Sequence, residues 1–107
     1  MIHLMNHQGG FQDEIADLFV TEIPEDYSLK DELEEEQPDQ LYEPGTVTSY
    51  SNWGTALAGY IVEEISGQPF YEYVHENILG PLDMDDTALL PDLSDNPEVR
   101  DQREETA

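Results

Sequence analysis

The chain has 107 residues, no cysteine and no apolar run near the ~18 residues of a membrane span. That length suits one small domain with a modest core, and it excludes disulfides and thiolate metal sites. Its 26 Asp and Glu against 3 Lys and Arg give a formal charge of −23, which excludes the cationic surface nucleic acid needs.

With 37% apolar residues and 6 tyrosines, a folded protein adapted to salt fits this composition better than a disordered chain. In ~1 M salt the Debye length shrinks to ~3 Å, and surface carboxylates cease to repel one another. The opening MIHLMNHQGG has neither a basic region nor a long apolar one. It does not read as a signal peptide, so a cytoplasmic location is the default expectation.

Residues 1–6 read as the end of a helix, broken at Gly9-Gly10. The run FQDEIADLF puts Phe11, Ile15, Leu18 and Phe19 at helical spacing. Ser28 is placed to cap an acidic helix that runs to about Glu36 and is stopped by Pro38. The acids Asp31 to Glu36 match no calcium loop and read as a solvated face. Glu43-Pro44-Gly45 has Pro and Gly where a type II turn needs them, and Val47 to Tyr50 reads as extended.

The clearest element is a helix over 53–66, with Asn52 as its expected N-cap and Trp53, Leu57, Ile61 and Ile65 as its core stripe. Gly67 stands at the helix C′ position, and Pro69 opens a second helix striped by Phe70, Val74 and Ile78. Gly80-Pro81 ends it, and the two helices are expected to pack as a hairpin with His75 on the surface. Residues 82–90 read as irregular and 91–107 as a loose acidic tail. His3 and His7 are four apart, a metal-ligand spacing, but no third ligand is evident and no metal site is expected.

Over 42–90 the string YEPGTVTSYSNWGTALAGYIVEEISGQPFYEYVHENILGPLDMDDTALL resembles the β-lactamase-related serine hydrolases: class C β-lactamases, D,D-carboxypeptidases and penicillin-binding-protein-like esterases. The matches are Pro44, Gly45, Tyr50, Ser51, Asn52, Gly59, Gly67, Pro69, Pro81, Leu82, Met84 and Thr87. Upstream, Leu4, His7, Gly10 and Phe11 fit the family's Leu-Leu-Thr-His-Thr-Ser-Gly-Phe segment. Gly9 replaces a Ser there, and Asp83 replaces the Gly of Pro-Leu-Gly-Met; Asp is among the residues that tolerate a left-handed backbone.

The resemblance implies a mostly α chain: part of the helical subdomain of the β-lactamase/transpeptidase-like α+β fold, without its main sheet. It implies one partial domain over 1–90, followed by the tail over 91–107. It also assigns catalytic roles to Tyr50 and Asn52 as the second motif of the family. There a serine one helical turn before a lysine attacks a carbonyl, and the tyrosine and lysine manage its proton. A serine hydroxyl needs such a base within reach. A phenol of ordinary pKa is a phenolate in only roughly one molecule in a thousand at pH 7, so neighbouring cations must help. Asn52 would donate to the substrate amide or orient the lysine.

The nucleophile motif Ser-x-x-Lys does not occur in this sequence. The single lysine, Lys30, has Tyr27 three residues before it, and Ser28 is two away. The third motif, Lys-Thr-Gly or His-x-Gly, is absent at its expected place after Tyr50, and there is no Gly-x-Ser-x-Gly elbow. The expectation is therefore a truncated serine hydrolase, inactive alone, that takes a small-molecule acyl substrate when intact. No cofactor is expected. The alternative is a non-enzymatic acidic helical interaction module or gene remnant. An uncovered apolar face is expected to favour self-association.

Overall fold

The computed structural model describes residues 1–13 and 28–106. Its elements are α1 (Ile2–Met5), α2 (Leu29–Glu35), α3 (Asn52–Ser66), α4 (Phe70–Val74) running on as a π-helical turn (His75–Leu79), and α5 (Pro97–Thr106). Among the described residues there is no sheet; strand-like pairing is limited to one antiparallel bridge, Phe11 with Gln40. This is the mostly helical, sheet-free character the sequence led us to expect. The chain divides into two compact units, Met1–Val62 and Glu63–Ala107. The expected helix through Ile15, Leu18 and Phe19 lies outside the described residues.

In the first unit, Ser28 Oγ accepts from the Asp31 amide at 3.4 Å and so starts α2 as anticipated. The acids Asp31, Glu34 and Glu35 are exposed on α2, while Leu33 is buried. Trp53 ties α2 to the start of α3: its indole N–H donates to the Leu33 carbonyl at 3.0 Å, and its ring meets Phe11 with centroids 4.7 Å apart. Gly45 has φ +86°, and Thr46 N–H closes on the Glu43 carbonyl at 3.2 Å, so the Pro44-Gly45 turn forms as read. Gly10, at φ +82°, carries the close approach of two backbone segments. A Cβ there would collide with the Tyr42 carbonyl, and the Gly10 carbonyl accepts from the Leu41 amide at 2.7 Å.

Several expectations need correction. The α3 cap is Ser51, not Asn52: Ser51 Oγ accepts from the Gly54 amide at 2.9 Å, and Asn52 is already helical. The side chain of Asn52 is engaged elsewhere, so the hydroxyl one residue earlier takes the capping position. The stripe of α3 is not a filled core either. Trp53, Leu57 and Ile61 are half-buried, and Ile65 is 83% exposed. In the second helix, Phe70 and Ile78 are exposed as well. Among the described residues, the large apolar side chains that are buried are Leu4, Leu33 and Leu79.

In the second unit α4 does not stay α-helical to Leu79. The Gly80 amide bonds the His75 carbonyl five residues back, at 2.8 Å, which makes a π-turn. Asp83 adopts φ 55°, the left-handed conformation its place in the sequence called for. The segment beyond Pro91 is not irregular throughout, since Pro97–Thr106 is helical. Asn96 Oδ1 caps it by accepting from the Val99 amide at 3.4 Å, and Pro97 fills the first helical position. That Asn-Pro pair was a readable start signal, but α5 has no apolar stripe to draw attention to it.

Candidate functional site

The site lies at the start of α3, within the first unit. Tyr50 is 61% exposed, and its phenol donates to Asn52 Oδ1 at 2.7 Å. The two sequence-predicted residues are thus in direct contact, and Ser51 between them is buried beneath the pair. Burial of Ser51 follows from its bond to the Gly54 amide, which turns its hydroxyl into the helix.

The segment 7–13 holds the site from the other side. The Ser49 amide donates to the His7 carbonyl at 2.7 Å, and Gly45 N–H reaches the Gln8 carbonyl at 2.7 Å. The Ser51 amide donates to His7 Nδ1 at 3.2 Å, and the Asn52 amide donates to Asp13 Oδ1 at 3.0 Å. His7 also lays its ring against Tyr50, with centroids 4.6 Å apart and planes tilted by 34°. Gln8 Nε2 adds a bond to Thr48 Oγ1 at 3.2 Å. Sequence reasoning found Tyr50 and Asn52 but missed the roles of Ser51 and Asp13, and it met His7 only in a longer match and in the His3–His7 spacing. The physical signal for Ser51 was its place one residue before an apolar helix, where a hydroxyl caps well.

A phenol held at the surface by an adjacent amide can present its oxygen to a second molecule. Because Asn52 Oδ1 is occupied by that phenol, the Asn52 NH2 is the group left to donate. Among the described residues no cluster of three His, Cys, Asp or Glu side chains could hold a metal ion.

Residues 1–106 of the chain match the family model described as Beta-lactamase. The chain belongs to the Beta-lactamase family. It is therefore a β-lactamase-related, serine-hydrolase-type chain: a mostly helical part of that fold with no sheet among its described residues. It is 42% identical over 50 residues to a "Putative D-alanyl-D-alanine carboxypeptidase" of Escherichia coli, covering 47% of this chain and 12% of that protein. A penicillin-binding protein of Bacillus subtilis is 29% identical over 91 residues, covering 81% of this chain and 20% of the relative. A "Probable hydrolase" of Cochliobolus lunatus is 34% identical over 56 residues, covering 52% of this chain and 9% of the relative. The matched stretches thus span at most 20% of the length of these relatives. No solved structure matches the chain.

A second cluster lies in the second unit, away from these residues in sequence. His75 Nε2 and Asp95 Oδ2 are 2.7 Å apart, so His75 is half-buried and bonded rather than free on a helix surface as expected. The Asp95 side chain is 1% exposed and also accepts from the Leu89 amide at 2.7 Å and the Leu90 amide at 3.1 Å. Burial pushes the Asp95 carboxyl up, but the His75 bond and the two amides outweigh it, and the net shift is below the usual 3.8. Two of its partners are amides of its own loop and the third is His75, so this cluster reads as a staple that ties the 89–96 loop to His75.

Proposed function

We propose that this chain is a segment of a serine acyl hydrolase, in which Tyr50 and Asn52 serve the acyl-transfer step. The observation that carries the reading is the exposed Tyr50 phenol bonded to Asn52 at 2.7 Å, in a chain of the Beta-lactamase family. In this reading the phenol oxygen relays the proton between a serine nucleophile and the leaving group. The Asn52 NH2 binds the substrate carbonyl or the lysine beside the nucleophile. The substrate class is a small amide, ester or β-lactam, in line with the carboxypeptidase and penicillin-binding names of the relatives.

Because Ser-x-x-Lys does not occur in these 107 residues, the chain alone is expected to be inactive. The chain and its Tyr50→Phe variant should hydrolyse nitrocefin and p-nitrophenyl esters at the same background rate. A Tyr50-dependent rate with a covalent adduct after β-lactam treatment would overturn the claim of inactivity. In a gene product extended to include an in-frame Ser-x-x-Lys, Tyr50→Phe should lower kcat roughly 10²- to 10⁴-fold, the usual worth of a proton-transferring side chain. An extended enzyme indifferent to Tyr50→Phe would remove the catalytic reading.

A second reading is an acidic interaction module without catalysis. Its support is the apolar surface of the second unit, where Ile65, Phe70, Ile78, Leu82 and Met84 are exposed. The occupant it favours is a second copy of this chain in high salt, where like charge no longer forbids approach. Sedimentation that stays monomeric in molar KCl at high protein concentration would count against it.

A further inference from the structure

We propose that His7 is the positioning residue of the Tyr50–Asn52 pair, and that it works only while its Nδ1 is an unprotonated acceptor. This inference rests on the reading of Tyr50 and Asn52 as the working pair. Among the described residues no strand lies beside Ser49 to Asn52, so the segment takes no sheet partner from them. Its amides must find acceptors elsewhere, and the structure supplies them from 7–13. Ser49 N–H uses the His7 carbonyl, Ser51 N–H uses the His7 ring, and Asn52 N–H uses Asp13.

Of these, His7 alone touches both the backbone between the pair and the phenol ring itself. One face of the imidazole fixes where the Tyr50 ring lies, and its Nδ1 fixes the peptide that separates Tyr50 from Asn52. The backbone of His7 sits at φ 57°, an uncommon conformation for a side chain-bearing residue, and it follows Asn6, the C-cap of α1. The turn is held by the His7 amide on the Leu4 carbonyl at 3.2 Å and by the Gln8 amide on the His3 carbonyl at 2.6 Å. This left-handed step ends α1 and brings the ring to Tyr50.

The chemistry of the ring makes the contact conditional. A neutral imidazole with its proton on Nε2 accepts at Nδ1, whereas an imidazolium carries hydrogens on both nitrogens and cannot accept. Protonation therefore sets two N–H groups against each other at the Ser51 amide. Among the described residues, the titratable groups near the ring are the Tyr50 phenol on its face, the Asp13 carboxylate on the neighbouring Asn52 amide, and His3 one turn back on α1. Asp13 is committed to the Asn52 amide, so the Ser51 amide has no second acceptor waiting among these groups.

The test uses the whole chain in molar KCl and needs no catalysis. Amide hydrogen exchange, normalised to the intrinsic rate, is read at Ser51 and Gly54 between pH 5 and pH 8. In the wild type, Ser51 should be roughly three- to tenfold better protected at pH 8 than at pH 5, the worth of one modest hydrogen bond. Gly54, bonded to Ser51 Oγ, reports whether the helix start remains folded. His7→Phe keeps a ring against Tyr50 without an acceptor and should lose the Ser51 protection at both pH values. His7→Asn returns an acceptor near the Nδ1 position; it should restore that protection and abolish its pH dependence. If His7→Phe also exposes Gly54, the decision passes to His7→Asn, whose pH-independent protection supports the proposal. Wild-type protection that does not change with pH, or His7→Asn behaving like His7→Phe, overturns it. The functional reading fails separately, if the extended enzyme ignores Tyr50→Phe.

Discussion

At the residue scale, two side chains show how a buried polar atom decides local order. Ser51 is placed by the amide it caps, and Asp95 by three donors at once: His75 and the amides of Leu89 and Leu90. The lowered carboxyl of Asp95 sets the direction of a pH effect. Its contribution to stability is fully present above the unfolded value of 3.8 and is lost as pH falls through the lower folded value. The loop 89–96 should therefore stay closed through neutrality and release only as pH falls below 3.8 towards the lower folded value of this carboxyl. Exchange at the Leu89 amide, followed downward from pH 5, checks this. Asp95→Asn leaves one acceptor oxygen for three donors, and it should cost roughly 1–3 kcal/mol at pH 7. An acid transition that survives Asp95→Asn unchanged would assign the effect to another group.

At the element scale, Trp53 joins α2 to α3 in the first unit and also meets Phe11, in the segment after α1. Its N–H satisfies the Leu33 carbonyl near the C-terminal end of α2, where helix carbonyls lack intrahelical partners, and its ring packs on Phe11. Trp53→Phe keeps an aromatic face but drops the hydrogen bond. It should destabilise the unit by roughly 0.5–1.5 kcal/mol and fray α2 before α3. A urea melt in molar KCl, with exchange resolved at α2 and α3, checks both. Uniform loss across both helices would show that the bond is not what holds α2. The half-burial of Ile61 lowers what it can contribute, since exposed apolar surface adds little. Helix 53–66 was legible because its apolar residues recur every four positions. Its relation to the residues after Gly67 was not, because the stripe records a face and not the partner that covers it.

At the scale of the whole molecule, charge dominates. A net −23 on 107 residues repels itself, and among the described residues few apolar side chains are fully buried in either unit: Leu4 and Leu33 in the first, Leu79 in the second. The exposed pair Arg100–Glu104, at 3.8 Å and one helical turn apart, is of a kind worth only a few tenths of a kcal/mol. Helicity should accordingly be weak in dilute buffer and rise towards molar KCl. Far-UV circular dichroism across a KCl titration measures this directly. Equal helicity at both ends would remove the argument for salt adaptation.

The sequence by itself determined the family, the helix 53–66, the Ser28 cap, the Pro44-Gly45 turn and the left-handed Asp83. Each depends on a short stretch whose residues carry their own conformational preference. It also brought Tyr50 and Asn52 together, because two positions in one turn are neighbours whatever the rest of the chain does. The tertiary structure decided which ring meets Tyr50, which acceptors take the amides of Ser51 and Asn52, and what becomes of His75. Those outcomes join residues 20 to 44 positions apart, such as His75 with Asp95 and His7 with Ser51. No local preference encodes such pairings. They arise because amides with no sheet to pair with, and a carboxylate closed off from water, must be satisfied by whatever the fold brings near.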